Sequence, residues 1–461
     1  MTNNNKIQRR QFLKSTVAGI GLTILPSGVL SGANAPSNRL NIALIGAYGR
    51  GSQHWNSYSD ENIVAICDVN EDHLAIAAER FPDAKQYIDW RRCLDQPDLD
   101  AIVCCTTDFT HAFVTNWALN RGLHCYTEKP LGISVEEVRT LRANYLRNKD
   151  KLATQCGTQR HQFPNFARVR ELVMDGAIGE LTEAYLWTSR QIRKDGYLPA
   201  AGDPPAVLHY DLWLGPTPEH PYNPGYFSAG VGMNCLSWNP YWDFGVGQIG
   251  DMGSHTGDLC WNGLYNNLPS TDPAWLKPYL PTAIEASGEE FDPDTVPVEM
   301  RAIFDLPAND WHSAIRMGFF MGGALPSSPR RSIDVSSISD GAMYRGSKGY
   351  IVSDYQTRML IPYGDDADLS YYKPRSEEEL IPPLVNFMGE WIDACKGDDK
   401  TKTTCNFKYS CDCIETLLLG LVAYRAGERL EYDGDSGRVT NNAAANDLLS
   451  REYRSGWVLD G

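Results

Sequence analysis

The chain has 461 residues, enough for two or three domains and a large core. Its 42 basic and 58 acidic side chains give a formal charge of −16, which leaves no basic surface for nucleic acid or an anionic membrane. The 12 tryptophans and 23 tyrosines supply aromatic faces of the kind that hold sugar rings, although such residues more often serve as core.

Residues 1–35 read as an address. Arg9-Arg10 precedes Gln11-Phe12-Leu13-Lys14, a mildly apolar run over 17–25 follows, and Ala33-Asn34-Ala35 offers a small-x-small cleavage site. The pattern is that of a twin-arginine export signal, which predicts a periplasmic protein. The apolar run is too short and glycine-rich to anchor in a membrane, and no cysteine follows the cleavage site to carry a lipid. That route carries folded proteins, so folding takes place in the reducing cytosol. The twelve cysteines form no C-x-x-C pairs and read as buried thiols, with no disulfide framework and no metal site.

A nucleotide-binding domain is expected over 38–158. The apolar run 41–45 reads as a central parallel strand. It opens into Gly46-Ala47-Tyr48-Gly49-Arg50-Gly51, a glycine-rich turn entering a helix, where backbone amides can approach a pyrophosphate. Tyr48 stands at the middle glycine position of G-x-G-x-x-G. A second strand, 63–67, ends at Asp68, whose carboxylate would accept from the adenosine ribose hydroxyls and repel a 2′-phosphate, favouring NAD over NADP. A helix over 71–80 and a strand over 101–105 follow. The latter leads into Thr106-Thr107-Asp108, with His111 opening another helix that Asp108 or Thr110 would cap.

Next comes a compact strand ending in Thr127-Glu128-Lys129-Pro130. Pro130 keeps Lys129 out of helical angles. Ser134 and Glu137 form an S-x-x-E capping box before a helix over 135–148, and a strand is expected at 152–156. Strand and helix alternate about six times, which predicts a doubly wound parallel sheet. Loops after its strands share one edge, so 46–51, 68, 106–111 and 128–129 should line one cleft.

The second part, 159–461, reads as an α+β domain with a largely antiparallel open sheet. Residues 180–189 alternate with period two, and further strands are expected near 298–304, 313–319, 342–345 and 350–353. Between them lies a loop-rich stretch, 191–245, whose Trp213, Tyr222, Tyr226, Trp238, Tyr241 and Trp242 are expected to wall a substrate pocket. Asp251 and His255 follow, four apart on one helix face, able to hold and pass a proton.

These residues resemble the Gfo/Idh/MocA family of NAD(P)-dependent sugar oxidoreductases. The resemblance rests on the 46–51 loop, Asp68, Thr107-Asp108-x-x-His111, Glu128-Lys129-Pro130, Gly157-x-Gln159-Arg160 and Gly247-x-x-x-Asp251-x-Gly253-x-His255-x-x-Asp258. It implies a Rossmann domain holding NAD through Gly46, Tyr48, Gly49, Arg50, Gly51, Asp68, Thr106, Thr107, Asp108, His111, Glu128, Lys129 and Gln159. It further implies that Lys129 hydrogen-bonds the reacting hydroxyl with a lowered pKa, that His255 is the main base, and that Asp251 orients His255 or the substrate. Substrate contacts are expected from Arg160, His161, Trp187, Arg190, Trp238 and Trp242, with Asp251 and His255. Thr107 stands where the family usually carries proline.

The resulting expectation is an exported dehydrogenase. It moves hydride from a ring carbinol of a sugar or glycoside, often C3, to tightly held NAD, and it assembles as a dimer or tetramer. Two other readings stand beside it: an NAD-dependent glycoside hydrolase or lyase working through a transient keto-sugar, and a non-catalytic sugar-binding protein. Lys129 is present here and absent from the family's glycosidase branch, which favours the dehydrogenase.

Overall fold

The computed structural model describes residues 38–364 and 369–460. The export signal expected over 1–35 lies outside the described residues. The first sheet contains β1 (Asn41–Ile45), β2 (Asn62–Cys67), β3 (Lys85–Tyr87), β4 (Ala101–Cys104), β5 (His124–Thr127) and β6 (Thr154–Cys156) in the order β3-β2-β1-β4-β5-β6, all parallel. Helices α1 (Glu71–Arg80), α2 (Asp108–Asn120) and α3 (Val135–Asn148) provide the crossovers. Every residue of β4 is buried, as an unbroken apolar run requires when helices cover both faces of a sheet. The strand order reverses between β1 and β4, so the crevice above their carboxyl ends is the place for a ligand.

Local chemistry departs from expectation at three helix starts. The glycine loop enters a four-residue 3₁₀ turn, Gly51–His54, in place of a regular α-helix. Its side chains bond outward: His54 reaches Glu128, and Trp55 Nε1 donates to the Ala47 carbonyl at 2.9 Å. At α3, Ser134 caps the Glu137 amide at 3.3 Å, but Glu137 does not return the bond to Ser134. It accepts instead from the Ile133 amide and from Arg451 Nε, each at 2.7 Å. At α2 neither Asp108 nor Thr110 caps. Thr107 precedes the helix without a side-chain cap, and Thr110 donates to Thr106 Oγ1 at 2.7 Å. Asp108 thereby keeps its carboxyl for the crevice.

Helix α4 (Pro164–Met174) leads to a nine-stranded sheet. Its strands are β7 (Leu181–Thr188), β8 (Ala283–Gly288), β9 (Met300–Leu306), β10 (Ile315–Met321), β11 (Asp340–Gly346), β12 (Gly349–Ser353), β13 (Arg358–Pro362), β14 (Leu430–Asp433) and β15 (Arg438–Val439). They run β13-β12-β11-β7-β10-β9-β8-β14-β15, antiparallel except where β7 meets β10. Helices α5 (Met252–Asn262), α6 (Phe387–Lys396) and α7 (Phe407–Ala426) complete the second part. An ion network ties α3 to α7. Arg142 lies 3.0 Å from Asp412 and 2.5 Å from Glu415, and Lys408 pairs with Asp412 as well. Burial pulls the Lys408 ammonium downward in pKa despite that partner.

Candidate active site

Gly46, at the end of β1, has φ +76°, and a Cβ there would lie 2.4 Å from the Cys105 carbonyl oxygen, so only glycine closes this turn. A Cβ on Gly51 would lie 2.1 Å from the Gly46 oxygen. Gly51 therefore supports the loop from beneath and does not reach the crevice wall. Tyr48 N–H points to Asp68 Oδ2 at 3.4 Å, while Asp68 Oδ1 accepts from the Asn70 amide at 3.1 Å. Asp68 ends β2 at the rim of the crevice and shares with the loop a cavity of about 290 Å³.

Glu128 anchors the opposite wall. Its Oε1 lies 2.7 Å from His54 Nε2 and 3.0 Å from Arg50 Nε. Burial opposes its ionisation, but Arg50 and His54 overcome it and hold the carboxyl well below the usual carboxylate range. The Gln159 amide, oriented to donate to the Gly157 carbonyl at 2.6 Å, accepts from Arg50 Nη2 at 3.0 Å. His111 bolts the next turn. Its Nδ1 lies 2.7 Å from the Pro130 carbonyl and its Nε2 3.2 Å from that of Thr106.

Lys129 leaves the carboxyl end of β5 through a cis peptide to Pro130. Its Nζ lies 2.5 Å from Asp251 Oδ1, and Arg190 Nη1 lies 2.5 Å from Asp251 Oδ2. Burial alone would lower the lysine pKa. Asp251 outweighs it and raises the pKa above the ordinary lysine value, which reverses the lowering expected from sequence. Asp251 itself is resisted by burial and pulled down by Lys129, to about 2. It stands just before α5, which begins at Met252. Its carboxylate oxygens point to Lys129 and Arg190 and not to the imidazole, which leaves the substrate as the other of the two groups it was expected to orient.

His255 lies one turn into α5, buried, with Nδ1 lacking a hydrogen-bond partner. Burial, then the charges of Lys129 and Arg160, push its pKa well below the ordinary histidine value, which leaves a neutral base. Asp108 faces the same cavity. Burial drives its carboxyl up to about 8, against the pull of Lys129, so it carries a proton at neutral pH.

One cavity thus gathers Gly46, Tyr48, Gly49, Arg50, Asp68, Thr106, Thr107, Asp108, His111, Glu128, Lys129, Gln159, Arg160, Arg190, Trp238, Asp251 and His255. Three expected substrate contacts are elsewhere. His161 Nδ1 turns to Asp258 Oδ1 at 2.9 Å. Trp187 is buried in a second small core, where its indole N–H donates to the Ile338 carbonyl at 2.7 Å. Trp242 donates to the Asp292 carbonyl at 3.0 Å and lines a different cavity. Of the other aromatics expected at the pocket, Trp213 lines it, while Tyr226 and Tyr241 are fully buried in a ring cluster with Phe244. Sequence reading missed Ile88, Trp90, Leu208, Leu212, Asn234 and Cys235, which also line the cavity. None belongs to a motif, and only their place in the fold brings them there.

The residues present fit a dinucleotide. The glycine cradle leaves room only for backbone, Asp68 stands one strand away, and three buried groups on the lining have no hydrogen-bond partner among the described residues: Trp90 Nε1, Trp238 Nε1 and His255 Nδ1. Two clusters, His54-Cys105-Glu128, buried, and His161-Asp258-Cys405, buried except for a partly exposed His161, each bring three possible metal ligands within 4.8 Å. In each, the His–carboxylate contact is a hydrogen bond. All twelve cysteines are free.

Residues 40–155 match the oxidoreductase family described by its NAD-binding Rossmann fold, and 180–261 match the C-terminal α/β domain of the same family. The chain is 28% identical over 144 residues to the myo-inositol 2-dehydrogenase of Thermotoga maritima, covering 31% of this chain and 42% of that protein. It is 28% identical over 154 residues to the levoglucosan dehydrogenase of Pseudarthrobacter phenanthrenivorans, covering 31% and 39%. The chain therefore spans about two fifths of the length of these curated relatives. The WlbA dehydrogenase of Bordetella pertussis, solved with NADH and UDP-GlcNAcA, shares the fold with a TM-score of 0.58 at 14% identity, over 86% of this chain and 99% of that one. The nucleotide-binding half and the beginning of the second sheet thus match the two domain models of the Gfo/Idh/MocA oxidoreductase family.

Proposed function

We propose that the protein is an exported NAD-dependent dehydrogenase of a ring hydroxyl on a sugar or glycoside. One observation carries this reading: a charged lysine and a neutral, unpartnered imidazole face the same cavity as the glycine loop and Asp68. NAD, when bound along that loop, supplies the hydride acceptor.

The chain's own groups do the rest. Asp251 clamps Lys129 and Arg190 and keeps Lys129 charged. The ammonium donates to the substrate hydroxyl oxygen and stabilises the alkoxide as it forms. Neutral His255 takes the hydroxyl proton. Asp108, protonated, offers a further donor to an adjacent hydroxyl or to the carboxamide side of the cofactor. Inositol and levoglucosan are named as substrates of the relatives, so a polyol or sugar class is the one to test first.

We take C3 of a glycoside as the position. A 3-keto group acidifies the neighbouring C–H and opens elimination of the glycosidic bond, a sequence that becomes redox-neutral only when the hydride on the cofactor is returned to the keto carbon. Outside the cytoplasm free NAD is scarce. The reading therefore includes a cofactor that stays bound and is reset by a second carbonyl substrate. Assembly as a dimer or tetramer is part of the same proposal.

The test is to denature the purified protein, identify released nucleotide, and screen glycosides for growth of the reduced-nicotinamide absorbance. Glycoside cleavage without net NADH would move the assignment to a hydrolase or lyase. A protein that binds sugar but no nucleotide would sink both.

A further inference from the structure

The loop-rich stretch 191–245 does not simply wall a substrate pocket. Its middle part leaves the second domain's sheet and lies across the nucleotide-binding half. Asn70 and Leu208 form an antiparallel bridge. Beside it the Glu71 amide donates to the Val207 carbonyl and the His209 amide to the Val69 carbonyl, each at 2.9 Å. The His209 imidazole adds an ion pair or hydrogen bond to Glu71 at 2.8 Å. The stretch is thus pinned next to Asp68, at the end of β2.

Further along, it comes down on the glycine loop. A Cβ on Gly232 would lie 2.5 Å from the Gln53 side-chain Nε2 and 3.9 Å from the Gly49 oxygen, which places the stretch in van der Waals range of the glycine loop. Met233, Asn234, Cys235 and Leu236 line the same cavity as Gly46, Gly49 and Arg50. Met233 lines that cavity and is 48% exposed, so its side chain is free to meet what enters there. At the other end, Leu208 and Leu212 line the same cavity as Ile88 and Trp90, so this part of the lining is apolar.

We propose that residues 205–238 form a clasp that closes over the dinucleotide and makes it a resident group, not exchanged between turnovers. Leu208, Leu212 and Met233 are its contact residues, and the 69–71/207–209 bridge is its pin. This rests on the dehydrogenase reading above and names what holds the cofactor in it.

The experiment uses the full-length purified protein loaded with radiolabelled NAD, followed by desalting into excess unlabelled NAD. Wild type should keep its label at least 100-fold longer than one turnover. The Leu208→Ala/Met233→Ala double variant should release it about tenfold faster or more. His209→Ala, which touches only the pin and threatens no core, should quicken release as well. Thermal melting without added nucleotide checks that each variant is folded. Release within seconds by wild type, or wild-type retention in all folded variants, overturns the clasp. Equilibrium titration separates the two failures. A wild-type protein that releases no nucleotide on denaturation and takes up no NAD in titration defeats the dehydrogenase reading and the clasp with it, whereas one that binds NAD and exchanges it freely defeats the clasp alone.

Discussion

In the proposed reaction, Lys129 and His255 divide the work that a single base would otherwise do. Lys129 is charged because Asp251 holds it so, and His255 is neutral because burial and the neighbouring cations hold it so. Lys129→Ala should lower kcat/KM by about 10²–10³-fold, the cost of losing one donor to the developing alkoxide, while leaving bound nucleotide at the wild-type amount; NADH formation and released-nucleotide analysis read the two separately. His255→Asn should lower kcat by about 10²–10⁴-fold. The wild-type rate should stay flat as the pH falls to the ordinary histidine value of about 6.5 and drop only below it, because a lowered pKa keeps the imidazole unprotonated there. Asp108 supplies a second titration. In the folded chain it keeps its proton to about pH 8, whereas the unfolded chain releases it near about 3.9. Between these values the folded state holds the extra proton, so stability falls as the pH rises through that window. Asp108→Asn carries no such proton and should flatten the slope, with a gain of about 1–3 kcal/mol at pH 8 in urea unfolding. The candidate residues in motifs were legible from spacing. The direction of the Lys129 shift was not, because it depends on Asp251 arriving from 122 residues away.

At the level of elements, apolar runs with turn residues at their ends made β1, β2, β4 and β5 readable, as the Ser134 cap did α3. Strands β8, β13, β14 and β15 were not readable. In the two-residue β15 and the half-exposed β8 and β13, too few side chains are buried to stamp a period on the sequence. Trp187 was misplaced for a related reason. Its alternation in β7 identified a face but could not say that a second core, with Val335 and Met343, covers that face. Helix α7 buries Leu417, Leu418 and Leu419, and charges tie it to α3 as well. Asp412→Ala would leave Lys408 and Arg142 buried with one carboxylate fewer. The expected cost is about 3–5 kcal/mol, read as a lower denaturant midpoint. At the glycine loop, Gly46→Ala should abolish nucleotide binding, since the new methyl collides with the Cys105 carbonyl at 2.4 Å. Loss of NAD-induced thermal stabilisation is the measurement.

On the scale of the whole molecule, the proposals of export and of a resident cofactor constrain each other. A chain that folds before export can close over NAD where NAD is plentiful, and a clasp that keeps it spares the protein from scavenging it outside. The formal charge of −16 fits a soluble carrier of its own cofactor and offers no electrostatic attraction to free, anionic NAD. Replacing Arg9-Arg10 with two lysines keeps the charge of the signal and removes its twin-arginine identity. If export uses that route, the wild-type chain should collect in the periplasmic fraction and the lysine variant in the cytoplasm, in a ratio that shifts by at least about tenfold. Both pools should yield nucleotide on denaturation, near one per chain. Equal periplasmic amounts of the two chains would remove the export proposal. A nucleotide-free periplasmic pool beside a loaded cytoplasmic one would show that the cofactor does not make the journey, and the second carbonyl substrate would then have no bound reductant to reset.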